Sequence, residues 1–88
     1  MAFHVNWTQP ARDRITEIWI EAEDRKQITR AGDIIDDALR SDPESFGESR
    51  GRNRRVAFVL PLAVIFRVLP DDLRVDVLGI KRVDRANS

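Results

Sequence analysis

The sequence predicts an α+β domain in which an antiparallel two-helix hairpin covers one face of a four-stranded, mainly antiparallel sheet. Two observations carry this prediction: apolar runs with a period of two fill the second half of the chain, and two segments with helical spacing precede them. With 88 residues the chain is long enough for one hydrophobic core but not for two. We therefore expect a single domain spanning 1–88, built as a strand, two helices and a three-stranded meander.

Three apolar runs between Arg50 and Arg82 supply the meander. Along each run, β-branched and aromatic residues alternate with the period of a strand that has one buried face. The alternating positions are Val56, Phe58 and Leu60, then Val64, Phe66 and Val68, then Val75 and Val77. Breaks at Pro61 and at 70–72 have the length of hairpin connections. We assign Phe58 and Phe66 to the core on this basis.

A strand and a first helix are predicted at the N-terminus. The alternating residues of the strand are Phe3, Val5 and Trp7. Thr8 suits the N-cap of a helix and Pro10 suits its first turn. Apolar residues then recur at spacings of three and four, which predicts one buried stripe made of Ile15, Ile18, Trp19 and Ala22.

A capping-box pattern with Asp24 as N-cap predicts a second helix that runs to about Arg40. Its apolar stripe is Ile28, Ala31, Ile35, Ala38 and Leu39. The helix ends before Pro43, because the residue preceding a proline disfavours the α region. The segment 44–53 is predicted to be a polar loop with Phe46 turned inward.

Composition excludes several kinds of site. The chain has no cysteine and one histidine, so disulfides, thiolate metal sites and two-histidine metal sites are excluded, and we expect no metal and no cofactor. No apolar run approaches the length of a membrane span, and the N-terminus lacks the apolar region of a signal peptide. We therefore expect a cytoplasmic protein without a membrane partner.

A net charge of zero hides a strong asymmetry. Residues 1–48 hold six basic and eleven acidic side chains, a balance of −5, whereas residues 49–88 hold nine basic and four acidic ones, a balance of +5. Such a distribution suggests an anionic partner for the basic half. The alternative, that the two halves only compensate each other in the folded domain, stays open.

The basic residues of the second half are candidates for contact with a nucleic acid or another anionic target. Four arginines in six positions are hard to satisfy internally; they are Arg50, Arg52, Arg54 and Arg55. Arg67 and Arg74 lie in the strand phase opposite the core, where ion pairing with Asp76 on a solvated face is the simpler interpretation.

An apolar strip is also predicted on the sheet face that points away from the helices. Its members are Ile65, Leu69, Leu78 and Ile80. If the helices cover only one face, this strip is exposed and rimmed by arginine. Such a surface suits an amphipathic helix or strand of a partner protein.

The order and spacing of these elements resemble the RelE/ParE superfamily of toxins from type II toxin-antitoxin systems. The segments that carry the resemblance are Ile18–Trp19, Asp42–Pro43, Gly47–Arg50, Arg54–Phe58, Pro61–Val68 and Val77–Arg82. The resemblance implies neutralisation by a cognate antitoxin protein. It also implies one of two activities: RelE-like members cut messenger RNA on the ribosome without a metal, and ParE-like members inhibit DNA gyrase.

Carried over to this sequence, the nuclease pattern is partial. Arg55 and Arg82 match basic positions of RelE-like members, and Lys81 is the late candidate for proton transfer. Two further basic positions fall at Ala57 and Ala63, and the chain has no tyrosine. The sequence therefore favours a toxin that inhibits a target such as DNA gyrase. The alternatives are a ribosome-dependent endoribonuclease using Arg55, Lys81 and Arg82, and a non-toxic binding module with a toxin-like fold.

Overall fold

A computed structural model describes residues 2–83 and confirms the predicted α+β class. The elements in chain order are β1 His4–Trp7, α1 Gln9–Glu21, α2 Arg25–Ser41, β2 Glu48–Ser49, β3 Arg54–Val59, β4 Leu62–Leu69 and β5 Arg74–Arg82. Short 3₁₀ helices lie at Pro43–Ser45 and Pro70–Asp72. Within residues 2–83, no helix is long and apolar enough to cross a membrane.

The sheet has five strands in the order β1-β5-β4-β3-β2, rather than the four that the sequence predicts. β1 runs parallel to β5, and every other neighbouring pair is antiparallel. The additional strand is β2, in which Glu48 and Ser49 pair with Val56 and Arg55. A strand of two polar residues shows no alternation of apolar and polar positions, and the sequence therefore predicted a loop where β2 lies.

The core lies between the helical hairpin and one face of the sheet. Its largest fully buried side chains are Phe66, Ile28, Ile35, Leu39, Leu62, Val64, Val75 and Val77. Each side chain of this size stabilises the fold by about 1.5–3 kcal/mol relative to an exposed position. The helical stripe predicted for α2 and the strand phase predicted for β4 and β5 up to Val77 are therefore confirmed.

Both predicted N-cap residues stand directly before their helices, but neither side chain caps the helix. The Thr8 hydroxyl donates instead to the Val77 carbonyl at 2.7 Å, which ties the start of α1 to β5. The Asp24 carboxylate binds Arg82 at the end of β5. Tertiary hydrogen bonds have therefore replaced the local ones that the sequence suggests.

Trp19 is 42% exposed, so the prediction that it belongs to the core is wrong. Its indole N–H donates to the Thr29 hydroxyl at 3.1 Å, and the Arg25 guanidinium lies 4.6 Å from the ring centroid. Ile18, the preceding residue, is buried instead. The ring thus lies at the margin of the helical hairpin, where a cation covers part of it.

The segment after α2 folds tightly against the sheet. Phe46 turns inward as predicted and stacks on Phe66, with ring centroids 5.8 Å apart. Gly47 follows with φ of +75°, and a Cβ atom there would lie 2.3 Å from the Val56 carbonyl oxygen. Only glycine fits this position, because it lacks the side-chain atom that would meet the backbone of β3.

Candidate functional site

The candidate functional site is the sheet face opposite the helices, which we call the outer face. Strand register defines its members, because residues paired directly across antiparallel strands point to the same side. The central members are Val56, Phe58, Ala63, Ile65 and Gly79. Phe58 is 59% exposed and Ile65 is 43% exposed. Large apolar side chains are therefore accessible in the middle of this face.

Phe58 lies on the outer face, so its assignment to the core is wrong, and Leu60 in the following turn is also exposed. The buried residue of β3 is Ala57, which pairs with Val64 on the helix face. A Cβ atom at Gly47 would lie 2.9 Å from the Ala57 Cβ, so the preceding loop passes directly over this residue. A small side chain is needed under that loop at position 57, and its neighbours Val56 and Phe58 face outward.

A bulge in β5 reverses a second sequence-based assignment. Ile65 pairs with Gly79 and Phe66 pairs with Val77, which leaves Leu78 as an extra residue in β5. A one-residue shift moves every following side chain to the other face. Ile80 therefore pairs with Val64 and is 6% exposed, so its assignment to a partner-binding strip is wrong.

The other members of the predicted strip differ from Ile80 in their exposure. Ile65 is exposed on the outer face, and Leu69 and Leu78 are partly exposed. Their role in partner binding stays a prediction. Sequence reasoning missed Val56 and Phe58, which extend the same apolar surface along β3. For Ile80 the available signal was Gly79, because a glycine within a strand often marks a bulge and a change of phase.

One end of the outer face is basic. Arg54 pairs directly with Arg67 across β3 and β4, and Arg67 pairs with Asp76 across β4 and β5. The Asp76 carboxylate accepts hydrogen bonds from Arg74 at 3.1 and 3.3 Å and from the Asn6 amide at 3.1 Å. The ion pair predicted across strands thus forms within β5, between Arg74 and Asp76. Like charges opposite each other destabilise a sheet, so Arg54 and Arg67 favour an anionic partner.

Arg50 and Arg52 project from the connection between β2 and β3. Arg50 forms an exposed ion pair with Glu48 at 3.0 Å. Gly51, Arg52 and Asn53 all have positive φ, at 82°, 51° and 65°. Non-glycine residues rarely adopt this left-handed region, and such strain is concentrated at functional segments. The turn directs two arginines into solvent beside the basic end of the outer face.

The three candidate nuclease residues differ in strand end or in sheet face: Lys81 and Arg82 are adjacent at the end of β5 but point to opposite faces, and Arg55 lies at the start of β3. Arg55 pairs with Phe66 and Arg82 pairs with Leu62, both on the helix face. Phe66 and Leu62 are four residues apart on β4, or roughly 13 Å at about 3.3 Å per residue. Lys81 pairs with Ala63 and is exposed on the outer face. The structure therefore does not assemble Arg55, Lys81 and Arg82 around one reacting group.

Arg55 has a structural role in the fold. Its guanidinium donates to the Phe46 carbonyl at 2.9 Å and to the Gly47 carbonyl at 2.8 Å. These bonds fasten the loop before β2 to the start of β3. They use two of the five N–H donors of the guanidinium and set the direction of the side chain.

Arg82 is held by a two-point ion pair with Asp24, at 2.8 and 2.9 Å. The hydrogen bond from Arg82 lowers the pKa of the Asp24 carboxyl below its ordinary value of 3.8. The fork of the guanidinium matches the carboxylate, which fixes the geometry of the pair. This pair joins the end of β5 to the start of α2 on the helix side of the sheet.

Solved structures share this fold at low sequence identity. A chain of the RelBE2 toxin-antitoxin complex from Mycobacterium tuberculosis is 14% identical, with 93% of this chain and 99% of that chain covered and a TM-score of 0.75. A chain of the chromosomal ParDE system of P. aeruginosa is 21% identical, with 93% of this chain and 97% of that chain covered and a TM-score of 0.67. The isolated RelE toxin of E. coli is 16% identical, with 96% of this chain and 87% of that chain covered and a TM-score of 0.61.

No protein-family model matches the sequence, and no curated protein is significantly similar to it. The structural likeness is nevertheless continuous, since each comparison covers more than nine-tenths of this chain. It includes the strand, the helical hairpin and the meander that the sequence predicts. The chain therefore has the fold of the RelE/ParE superfamily of toxins.

Proposed function

We propose that this chain is the toxin of a type II toxin-antitoxin pair, that a cognate antitoxin silences it, and that it acts by binding and inhibiting a target such as DNA gyrase. The observation that carries binding over cleavage is the separation of Arg55, Lys81 and Arg82. A nuclease needs charge stabilisation and proton transfer at one phosphate. Here two of the three residues hold other parts of the fold together, through carbonyls and a carboxylate.

The outer face supports a protein partner with acidic and apolar side chains. Phe58 and Ile65 offer apolar surface, and Arg54, Arg67 and Lys81 surround it with positive charge. An antitoxin segment would bury the two apolar groups and place carboxylates against the arginines. Structures with the same fold support such a partner, since the ParDE and RelBE structures are toxin-antitoxin systems, and a mutant of E. coli RelE forms a complex with a peptide of the antitoxin RelB.

The alternative activity is a RelE-type ribosome-dependent endoribonuclease, which the likeness to E. coli RelE favours. In that case the basic end of the outer face would bind the RNA backbone, and Lys81 and Arg82 would act at the strand end. The two activities leave different traces in a cell, so one experiment distinguishes them.

The experiment is induced expression in a bacterial host, in which growth, plasmid supercoiling and intact messenger RNA are followed together. We expect growth arrest with disturbed supercoiling and intact messages. The double variant Arg54→Glu/Arg67→Glu should abolish the arrest, because it reverses the charge of the basic end. Lys26→Glu/Arg30→Glu is the matched control, since it makes the same charge change on the exposed surface of α2.

Rapid message loss that Arg82→Ala abolishes would establish the nuclease activity and overturn the proposed mechanism. Absence of arrest, with soluble folded protein in the cells, would overturn the proposal of a toxin and leave a binding module. Circular dichroism of each purified variant confirms that loss of arrest does not result from loss of folding.

A further inference from the structure

The solvent-facing side of α2 carries a row of four charged side chains, which we call the α2 ridge: Lys26, Arg30, Asp33 and Asp37. All four are exposed, and their successive spacings of four, three and four residues place them on one face of the helix, away from its buried stripe. The row is roughly 16 Å long, since a helix rises by about 1.5 Å per residue. Two positive charges therefore occupy its N-terminal half, and two negative charges occupy its C-terminal half.

This order of charges is unfavourable within a single chain. Lys26 and Arg30 are like charges one turn apart, as are Asp33 and Asp37, and such pairs destabilise a helix. Lys26 also lies in the first turn of α2, where the helix dipole favours negative charge. None of the four side chains forms an ion pair or hydrogen bond with another residue in 2–83. The described part of the chain therefore offers these charges no compensating partner.

The α2 ridge is complementary to a reversed copy of itself. Its spacings read the same in both directions, whereas the charges change sign. Two antiparallel ridges therefore place Lys26 against Asp37 of a second copy, and Arg30 against Asp33 of that copy. A two-fold axis makes both contacts occur twice. Ile34, which is 47% exposed beside the ridge, would be covered in the same contact.

We propose that two copies of this chain form an antiparallel dimer through the α2 ridge. The two helices lie side by side, all eight ridge charges are paired, and the opposed helix dipoles add to the attraction. The interface is small and polar, so we expect a reversible dimer that weakens as salt screens its ion pairs. This inference goes beyond the proposed function, because α2 lies on the other side of the sheet and the outer face stays accessible in the dimer.

Sedimentation equilibrium of the full chain tests the proposal. The chain has a mass of 10.1 kDa, and a dimer has twice this mass. At low ionic strength we expect the average mass to rise with concentration toward the dimer value. In about 1 M salt, where the Debye length falls to about 3 Å, dimerisation should be at least about tenfold weaker. A chain that stays monomeric at every concentration in low salt, or a dimer that is insensitive to salt, would overturn the proposal.

Two double variants locate the contact. Lys26→Glu/Arg30→Glu makes the ridge entirely acidic, and Asp33→Lys/Asp37→Lys makes it entirely basic, so each variant alone should be monomeric. Mixed in equal amounts, the two variants should form a heterodimer, because every contact then joins opposite charges. A mixture that stays monomeric while both variants are folded by circular dichroism would overturn the proposal.

The matched control is Asp13→Lys/Glu17→Lys, which makes the same charge change as the basic ridge variant on the exposed surface of α1. It should dimerise as the wild type does. Equal loss of the dimer in this control would show an effect of net charge alone and would contradict an interface at the α2 ridge. The acidic ridge variant leaves the outer face unchanged, so loss of the dimer is separable from loss of target binding.

Discussion

The opposite burial of two phenylalanines gives a quantitative test of the strand register that defines the outer face. Phe66 is fully buried and stacks on Phe46, whereas Phe58 is 59% exposed. Truncating a buried phenylalanine to alanine costs about 3–5 kcal/mol, which includes the cavity left behind. Full burial of such a side chain contributes about 1.5–3 kcal/mol, so less than half of that, about 1 kcal/mol, is at stake at Phe58.

We therefore expect Phe66→Ala to lower the free energy of unfolding by at least about 2 kcal/mol more than Phe58→Ala does. Urea unfolding followed by tryptophan fluorescence measures both free energies, provided that the slope of free energy against urea concentration is the same for the two variants and the wild type. The milder Phe66→Leu variant serves if Phe66→Ala does not fold. Equal losses at the two positions, or a larger loss at Phe58, would refute the register and with it the composition of the outer face.

Three further predictions concern residues that hold the fold together. Arg55→Ala removes two hydrogen bonds to loop carbonyls, so it should lower the free energy of unfolding by about 1–3 kcal/mol in urea titrations. Gly47→Ala should destabilise more than Gly51→Ala in the same titrations, because both have positive φ but only the first creates a backbone clash. The Asp24–Arg82 pair lowers the pKa of Asp24, so its contribution to stability is complete above pH 3.8 and is lost as pH falls through the lower folded-state value. The stability difference between wild type and Asp24→Asn, measured across pH, should shrink in that acidic range; a difference independent of pH would contradict it.

Much of the fold follows from periodicity in the sequence. The apolar stripe of α2 and the alternating apolar residues of β4 are long and regular, and the side chains that they predict to be buried are buried. Proline breaks located both hairpin connections of the meander. These features depend on residues close to each other in the chain, and they are therefore readable without the structure.

The candidate site was predicted less well, because it depends on contacts between distant segments. Ala57 is buried under the loop at Gly47, and this contact sends Phe58 outward. The extra residue at Leu78 sends Ile80 inward. The Asp24 side chain does not cap α2 but accepts hydrogen bonds from Arg82, which lies 58 positions further along the chain. Gly79 is a local sign of the bulge, but no local pattern specifies how these distant segments meet.

The proposal that this toxin-like domain acts by binding rather than by cutting RNA can be tested with purified protein. Ribosomes programmed with a messenger RNA are incubated with the protein, and primer extension maps every new RNA end. We expect full-length messages at protein concentrations that inhibit DNA gyrase in a supercoiling assay. Discrete cleavage sites that disappear with Arg82→Ala would contradict it, because they would show that Arg82 leaves Asp24 to act on RNA.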